Sequence, residues 1–334
     1  MKTENLKILV IRFSSIGDIV LTTPVIRCLK QQLNGAEIHY LTKRKFKTVL
    51  ASNPHIDKLH FLDDKLSDTI SSLKQEHFDV LIDLHHNLRT LIIKTRLGIR
   101  ASSFDKLNWQ KWLLVNLKVN RLPPIHIVDR YLDTVKFLGV KNDDKGLDYF
   151  LNSEHDLSSL LPPSHQVFTG IAIGAQHATK RLPQHKLIEL CKGLPDPVVL
   201  LGGPEDAPRA DEICNEAGAH VFNGCGQFSL DQSAYLVKMA RQIITHDTGL
   251  MHIAAAFDKP IVSVWGNTIP GFGMYPYKTS RSVVAEVNHL PCRPCSKIGY
   301  QKCPLGHFKC MNDIPVSFII DNLENSDQGS ISVI

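Results

Sequence analysis

The sequence predicts an α/β protein built on parallel sheets and divided into two domains. Short apolar runs that suit buried strands alternate with helical patterns, from Lys7–Phe13 to Ile261–Trp265. This alternation is typical of parallel sheets with helices on both faces. Because 334 residues exceed the usual size of one domain, we expect two, residues 1–155 and 165–325. The boundary falls in the charged, Pro-containing segment 141–166.

The composition is that of an ordinary globular protein with a mild excess of basic residues. Hydrophobic residues make up 43% of the chain and charged residues 21%, and the formal net charge is +5. This excess suits anionic substrates but is too weak to indicate nucleic-acid binding. The N-terminus passes directly into a strand pattern, and no apolar run approaches the roughly 20 residues of a membrane-spanning helix. We therefore expect a cytoplasmic protein.

In the first half, polar residues follow the predicted strands. Asp18 comes just after the first strand, in the small-residue turn SSIGD that precedes a helix near Thr23-Pro24. Ligands of parallel sheets bind at the carboxyl ends of strands, so Asp18 is a candidate for chemistry. A role as a capping aspartate fits its position equally well. We predict further strands at 36–42, 58–62 and 78–84. Basic or polar residues that follow these strands are Lys43, Arg44, Asn87 and Arg89.

The most informative stretch is Arg241–Gly266, RQIITHDTGLMHIAAAFDKPIVSVWG, which fits a strand, a turn, a helix and a second strand. Asp247, Thr248 and Gly249 form the turn, and His252 lies one turn into the helix. The free N–H groups at the start of such a helix, together with its dipole, suit a phosphate. An ordinary turn capped by Asp or Thr is the alternative interpretation.

Two other loops of the second half could reach the same ligand. A strand at Phe168–Ile173 leads into a loop that carries Lys180, which could contact a phosphate or be a solvated surface residue. A strand at Val198–Leu201 ends in Gly202 and Gly203, which permit close backbone approach but also form ordinary turns. The chain has neither a G-x-G-x-x-G nor a P-loop motif, which counts against a simple NAD enzyme or a P-loop NTPase.

A late segment, CRPCSKIGYQKCPLGHFKC, concentrates four of the eight cysteines. Thiols of a cytoplasmic protein stay mostly reduced, so such a cluster favours metal binding over disulfides. Four thiolates would suit a closed, structural zinc site. A loop of reduced, partly buried cysteines is the alternative. The candidate ligands are Cys292, Cys295, Cys303 and Cys310.

Two motifs together resemble glycosyltransferase family 9, the bacterial heptosyltransferases of lipopolysaccharide core synthesis. They are RFSSIGDIVLTTP at Arg12–Pro24 and HDTGLMHIAAA at His246–Ala256, supported by DLHHNLR, LGGPED and the cysteine cluster. The resemblance implies a GT-B architecture, in which two Rossmann-like domains face a cleft. The N-terminal domain would bind the acceptor and the C-terminal domain the sugar nucleotide.

The resemblance also implies roles for individual residues. Asp18 matches the catalytic base. The residues that match the donor site are Lys180, Gly202, Gly203, Asp247, Thr248, Gly249, Leu250 and His252. The residues that could contact the acceptor are Arg12, Ser14, Ser15, Lys43, Arg44, Asn87 and Arg89.

The implied function is inverting transfer of heptose from ADP-heptose to a lipopolysaccharide-type acceptor. No metal cofactor is expected for catalysis, and structural zinc at the four cysteines stays open. Peripheral contact with the inner face of the inner membrane also stays open. The alternatives are the same fold with another nucleotide-sugar donor, a non-catalytic sugar-nucleotide-binding protein of this fold, and a zinc-dependent enzyme.

Overall fold

A computed structural model describes residues 5–324 of the chain, which divides into two compact units. The first unit contains the residues up to Lys106 together with Ile125–Asn152. The second contains Leu107–Pro124 together with the residues from Ser153 onward, so a short segment inside the first half of the sequence groups with the second unit. The domain limits expected from the sequence stay a prediction. The polar tail after Asn325 lies outside the described residues.

The first unit is organised around a parallel sheet. Its strands are β1 (Lys7–Ile11), β2 (Glu37–Thr42), β3 (Lys58–Phe61), β4 (Val80–Asp83) and β5 (Arg100–Ser103). They pair in the order β3-β2-β1-β4-β5, and every pairing is parallel. The central strands β1 and β4 are almost fully buried and, apart from Lys7 and Asp83 at their ends, apolar, as expected for a sheet covered on both faces. The carboxyl ends of β2, β1 and β4 therefore lie side by side at one edge.

The second unit has a larger parallel sheet of the same kind. Its strands are β6 (Thr169–Ala172), β7 (Val198–Leu201), β8 (Val221–Asn223), β9 (Gln242–His246), β10 (Ile261–Trp265) and β11 (Ser282–Glu286). They pair in the order β11-β10-β9-β6-β7-β8, again all parallel. The loops that follow β10, β9, β6 and β7 thus meet at one edge of this sheet.

Helices cover both sheets, and their apolar faces supply the rest of each core. In chain order they are α1 (Ile16–Val20), α2 (Thr23–Gln32), α3 (Lys47–Leu50), α4 (Leu66–Lys74), α5 (Leu88–Leu97), α6 (Asn108–Leu117), α7 (Ile127–Asp133), α8 (Leu157–Leu160), α9 (Gln184–Gly193), α10 (Ala207–Ala217), α11 (Leu230–Met239), α12 (Gly249–Ala256), α13 (Lys309–Asn312) and α14 (Val316–Glu324). A capping box formed by Ser229 and Gln232 opens α11, and Gly139 ends a 3-10 turn in the left-handed conformation.

One detail of the first unit corrects the sequence interpretation. Residues 14–18 were expected to form a simple turn, but a short helix, α1, begins at Ile16 and includes Asp18. Ser15 precedes this helix, and its backbone N–H and hydroxyl both bind the Asp18 carboxylate. The Asp18 carboxylate thus accepts the free N–H of Ser15 at the helix start, which helps a short helix to form directly after β1.

A second detail concerns the charged turn after α7, which the sequence placed near the domain boundary. The guanidinium of Arg27 on α2 donates hydrogen bonds to both oxygens of Asp143 at 2.8 Å and forms a second ion pair with Asp148. Arg27 is almost fully buried. These bonds fasten the segment 141–148 to the first unit, because a buried guanidinium requires its partners to stay in place.

A cluster of ionisable side chains lies on the β2–β3 side of the first sheet. His39 and His60 share a hydrogen bond of 2.8 Å between their ring nitrogens, and Glu76 lies beside them with Lys7 and Lys58. Burial, followed by the nearby His39, lowers the pKa of His60 to about 4, despite the opposing charge of Glu76. His60 is therefore neutral in the folded protein at pH 7.

We expect the stability of the protein to fall as the pH decreases from about 6.5 to about 4. In that interval the unfolded chain binds a proton at His60 that the folded protein does not, so acid favours unfolding by roughly 1–3 kcal/mol. Urea denaturation at pH 7 and pH 5 measures the loss. His60→Asn should show a smaller loss, whereas the exposed control His185→Asn should behave as the wild type. An equal loss in all three proteins would contradict this assignment.

Candidate functional site

The carboxyl edge of the first sheet holds Asp18 in a fixed position. Its Oδ1 atom accepts an N–H of Arg12 at 2.7 Å, and its Oδ2 atom accepts the backbone N–H and the hydroxyl of Ser15 at 3.1 and 2.9 Å. The Asp18 side chain nevertheless keeps 20% of its surface exposed. Since a carboxylate oxygen can accept two hydrogen bonds, Oδ1 retains one position for an incoming donor.

Arg12 is the support of this carboxylate. Its side chain is buried, and its other N–H groups donate to the carbonyls of Ser14 and Leu84 at 2.7 and 2.6 Å and to the Tyr131 hydroxyl at 3.1 Å. The resemblance implied that Arg12 could contact the acceptor. In the structure its guanidinium binds four protein groups, because β1, the loop after β4, and α7 all converge on it. A contact of Arg12 with the acceptor stays a prediction.

Opposing effects act on the pKa of Asp18. Burial acts to raise it, but the positive charge of Arg12 and the two hydrogen bonds from Ser15 together outweigh burial, so the pKa is lowered below its usual value. Asp18 is therefore ionised at neutral pH, as the sequence position predicted. The carboxylate is available as a proton acceptor and does not need to lose a proton first.

The other predicted acceptor residues share this edge but differ in their surroundings. Lys43 and Arg44 follow β2, and the Arg44 guanidinium lies 4.6 Å from the Phe61 ring centre. Asn87 is the N-cap of α5, where its side chain accepts the Thr90 N–H, so its carbonyl oxygen already has a structural role. Arg89 is exposed on the first turn of α5.

His85 lies on this edge and was not singled out from the sequence. Its ring packs 4.8 Å from the ring of Phe13. Burial, followed by the charge of Arg12, lowers the pKa of His85 to about 4, so the imidazole is neutral at pH 7. A neutral imidazole next to the Asp18 cluster can accept or donate a hydrogen bond without adding charge.

The carboxyl edge of the second sheet brings together residues from three loops. The Lys180 ammonium, in the loop after β6, lies 2.5 Å from Oδ2 of Asp247, which follows β9. The hydroxyl of Thr268, which follows β10, donates to the same oxygen at 3.1 Å. An ammonium has three donors and Asp247 occupies one, so Lys180 is held in place with donors left for a ligand. Thr268 was missed by the sequence analysis.

The predicted strand, turn and helix around Asp247 are present as β9, residues 247–248 and α12. Thr248 occupies the N-cap position, but its side chain makes no capping hydrogen bond with this helix. The first-turn N–H groups of α12 are therefore left for another acceptor. Gly249 and Leu250 are half-buried in that first turn, and His252 is buried one turn further along.

The glycines after β7 have an explanation within the protein. A Cβ atom at Gly202 would lie 2.8 Å from a carboxylate oxygen of Asp206, and one at Gly174, after β6, would lie 2.2 Å from the same oxygen. Asp206 is buried, and this oxygen accepts the Gly203 N–H at 3.1 Å. The close approach that Gly202 and Gly174 allow is therefore to Asp206, whereas a Cβ atom at Gly203 would meet the Glu205 carboxylate. Donor binding by Gly202 and Gly203 stays a prediction.

The loop that carries Lys180 is fastened at both ends. Its C-terminal end is held by His246, whose Nε2 accepts the Leu182 N–H at 2.9 Å. Burial, aided by nearby arginines, lowers the pKa of His246 to about 3, so the imidazole is neutral, and the bond from Leu182 assigns its one proton to Nδ1. Thr179, next to Lys180, exchanges hydrogen bonds of 2.8–3.1 Å with the backbone of Tyr300.

The cysteine segment therefore borders the Lys180 loop, but its sulfurs do not form a compact ligand set. Among residues 5–324, the one group of potential ligand atoms that all lie within 4.8 Å of one another is His39, His60 and Glu76. Cys292 Sγ lies 3.9 Å from His307 Nε2. Burial raises the pKa of Cys310 to about 12, which favours its thiol form. Structural zinc at the four cysteines stays a prediction.

Arg293, within the same segment, secures the turn after β10. It donates hydrogen bonds to the carbonyls of Gly266 and Thr268 at 2.5 and 2.9 Å and forms an ion pair with Glu286. Arg293 of the cysteine segment thus fixes the turn whose Thr268 side chain contacts Asp247.

Two parallel α/β units with polar clusters at their carboxyl edges are the units of a GT-B fold, and solved structures of similar fold agree. The chain superposes on a glycosyltransferase family 9 structure from Veillonella parvula with a TM-score of 0.78, at 23% identity, covering 97% of this chain and 98% of the other. For the Escherichia coli ADP-heptose lipopolysaccharide heptosyltransferase II, the TM-score is 0.73 at 22% identity, covering 96% and 98%.

The sequence itself establishes the family. The model of glycosyltransferase family 9 (heptosyltransferase) matches residues 68–305. Lipopolysaccharide heptosyltransferase 1 of Campylobacter coli is 27% identical over 290 residues, covering 79% of this chain and 84% of the relative. The chain belongs to glycosyltransferase family 9, as the two motifs predicted, and is a glycosyltransferase. Within the described part of the chain, helices long and apolar enough to cross a bilayer are absent.

We expect Arg12→Gln to raise the pKa of Asp18, because the charge that stabilises the carboxylate is removed while burial remains. Stability should also fall, by about 3 kcal/mol, since a buried charge loses its partner. Carbon-13 NMR titration of labelled aspartates measures the pKa directly. Lys30→Gln, which breaks the ion pair with Asp57 in the same unit, is the control and should leave Asp18 unchanged. An unchanged Asp18 in Arg12→Gln would contradict the electrostatic assignment.

Proposed function

We propose that this protein transfers heptose from ADP-heptose to a lipopolysaccharide-type acceptor, with inversion and without a catalytic metal ion. The observation that carries the proposal is the convergence of Lys180, Asp247 and Thr268 at the open start of α12. The heptosyltransferases that the chain resembles support the donor and the acceptor class.

The second unit would hold the donor. A diphosphate placed at the first turn of α12 would accept the backbone N–H groups there, which Thr248 does not cap. Lys180, oriented by Asp247, would supply a positive charge next to the bond that breaks. Negative charge grows on the departing ADP as that bond lengthens, so fixed donors lower the barrier. These groups can perform the task that a divalent cation performs elsewhere, which is why we propose metal-independent catalysis.

The first unit would activate the acceptor. Asp18, ionised and held by Arg12 and Ser15, would accept the proton of the acceptor hydroxyl through the remaining position on Oδ1. The hydroxyl oxygen forms a bond to the anomeric carbon, and the bond from that carbon to the ADP oxygen breaks. A single displacement of this kind inverts the anomeric configuration. The neighbouring basic residues Lys43, Arg44 and Arg89 would contact an acidic acceptor.

The support for Asp18 as base predicts a clean separation of binding from chemistry. We expect Asp18→Asn to lower transfer by at least about 100-fold while leaving ADP affinity within about twofold, because the donor groups lie in the other unit. Product analysis of transfer and calorimetric titration with ADP test the two parts. Asp57→Asn, which alters another carboxylate of the same unit, serves as the control. Full turnover in Asp18→Asn would remove it from the role of base.

The donor is tested by calorimetric titration with ADP, UDP and GDP, each with and without EDTA. We expect ADP to bind most tightly and EDTA to have no effect. Lys180→Met should weaken ADP binding by about 10–100-fold, as expected for one lost charge-assisted contact to phosphate. Lys192→Met, an exposed lysine of the same unit, is the matched control.

Each other result leads to a defined alternative. Preference for UDP or GDP would replace the donor while keeping the fold. Binding without any transfer would favour a non-catalytic sugar-nucleotide-binding protein. Loss of transfer on chelation would contradict metal-independent catalysis and would direct attention to the four cysteines.

A further inference from the structure

One helix of the first unit presents an apolar face to solvent. Leu88, Leu91 and Ile92 on α5 are 71%, 53% and 38% exposed, although large apolar side chains normally turn towards the core. Helical spacing puts these three residues and Thr95 on one outward stripe. The opposite side of α5 is ordinary core, since Thr90 and Ile93 are fully buried. The helix therefore has a buried core-facing side and a separate apolar side that is exposed to solvent, and an exposed apolar patch of this kind is typical of a binding surface.

Charged residues border the stripe on one flank. Arg89 and Arg96 are exposed and lie two helical turns apart, so both fall on the same side of it. Lys94 points elsewhere, because its ammonium lies 2.9 Å from the buried carboxylate of Asp83. The Thr95 hydroxyl donates to the Leu91 carbonyl at 2.9 Å, so Thr95 can be desolvated at little cost. Apolar residues beside arginines are the pattern of a helix that lies in a membrane interface.

The loop that leads into the stripe contacts Arg12, the residue that holds the proposed base. The loop between β4 and α5 supplies the Leu84 carbonyl, which accepts an N–H of Arg12 at 2.6 Å, and Arg12 holds Asp18. The loop before α5 is thus connected to Asp18 through Arg12, by one hydrogen bond and one ion pair within the same unit. A surface that rests on the membrane here would place the base near an acceptor that is itself anchored in the membrane.

We propose that the outward face of α5, formed by Leu88, Arg89, Leu91, Ile92 and Arg96, docks on an anionic membrane surface. This inference rests on the proposed function, because a lipopolysaccharide-type acceptor carries a lipid anchor. The leucine and isoleucine side chains enter the headgroup region, and Arg96 contacts anionic headgroups, while Arg89, at the start of α5, remains the acceptor contact of the proposed function. A second copy of the chain is a poorer occupant, since a symmetric contact would bring the same arginines together.

The test is flotation of the full-length protein with vesicles of phosphatidylglycerol and phosphatidylethanolamine, compared with pure phosphatidylcholine. We expect binding to the anionic vesicles, weakened by salt. Leu88→Gln, Leu91→Gln and Ile92→Gln combined should lower partitioning by at least about tenfold, and glutamine preserves helix propensity. Arg96→Gln should weaken binding to anionic vesicles and leave binding to phosphatidylcholine unchanged.

Controls separate docking from other effects. Val167→Gln, at an exposed apolar residue of the second unit, and Lys192→Gln should bind as the wild type. Equal partitioning of the triple variant and the wild type, or no vesicle binding by the wild type, would overturn the proposal. A change from dimer to monomer in the triple variant, seen by sedimentation, would overturn it in favour of self-association.

The docking surface and the proposed function fail in different ways. Transfer to a lipid-free acceptor saccharide, measured as ADP release, does not need the membrane. We expect the triple variant to keep wild-type turnover on that acceptor and to lose at least about tenfold on the same acceptor embedded in vesicles. If the wild type binds vesicles but neither the wild type nor the triple variant releases ADP, the proposed function alone is rejected. Full ADP release without vesicle binding would reject the docking surface alone.

Discussion

Parallel pairing of strands is the constraint on which both polar clusters depend. Neighbouring parallel strands end at the same edge, so loops that are far apart in sequence are delivered to one place. In the second unit this brings Lys180 to Asp247, 67 residues later in the chain, and adds Thr268 from the next loop. In the first unit it places the residues after β2 and β4 on either side of Asp18. Short helices that begin in these loops, α1 after β1 and α12 after β9, then fix the positions of the side chains.

Both clusters use a charge pair to hold a functional group in one orientation. Arg12 binds four protein groups and orients Asp18, whereas Asp247 orients Lys180. Partly buried pairs of this kind contribute little net stability, since desolvation offsets their attraction. Their value is positional, because a side chain that is already ordered loses little freedom when a substrate arrives. The first cluster keeps a carboxylate ionised and the second keeps an ammonium near the start of α12.

Most strands follow from the sequence, including the edge strand β3, but three other edge strands do not. Buried strands such as β1, β7, β9 and β10 contain apolar runs, and each was predicted. The strands that were missed are β5, β8 and β11, all at sheet edges. An edge strand is covered less completely, so RASS in β5 carries no apolar signal. Residues 100–103 form a strand because they pair with β4, and not because their own side chains favour a strand.

The candidate site shows the same division. Asp18, Lys180 and the residues 247–250 could be identified because they follow apolar strands or match family motifs. His246 and Arg293 could not, since their roles depend on contacts with Leu182 and with Gly266 and Thr268 that no local spacing reveals. Thr268 left a usable signal, because it is a small polar residue directly after the predicted strand 261–265. The family motif assigned Asn87 to the acceptor, whereas its hydrogen bond with the Thr90 N–H depends on where α5 begins, which the motif does not give.

The attachment of the cysteine segment has a consequence for the reactivity of its thiols. Arg293 and Tyr300 bind the two turns that carry Thr268 and Lys180, so the order of the segment is coupled to the order of those turns. Any ligand that steadies Lys180 must also lower the population of open forms of residues 292–303, because such coupling is reciprocal. Alkylation of Cys292, Cys295 or Cys303 would thereby report occupancy at the start of α12, and a covalent adduct on one of them would change, from a distance, the affinity for a ligand bound there.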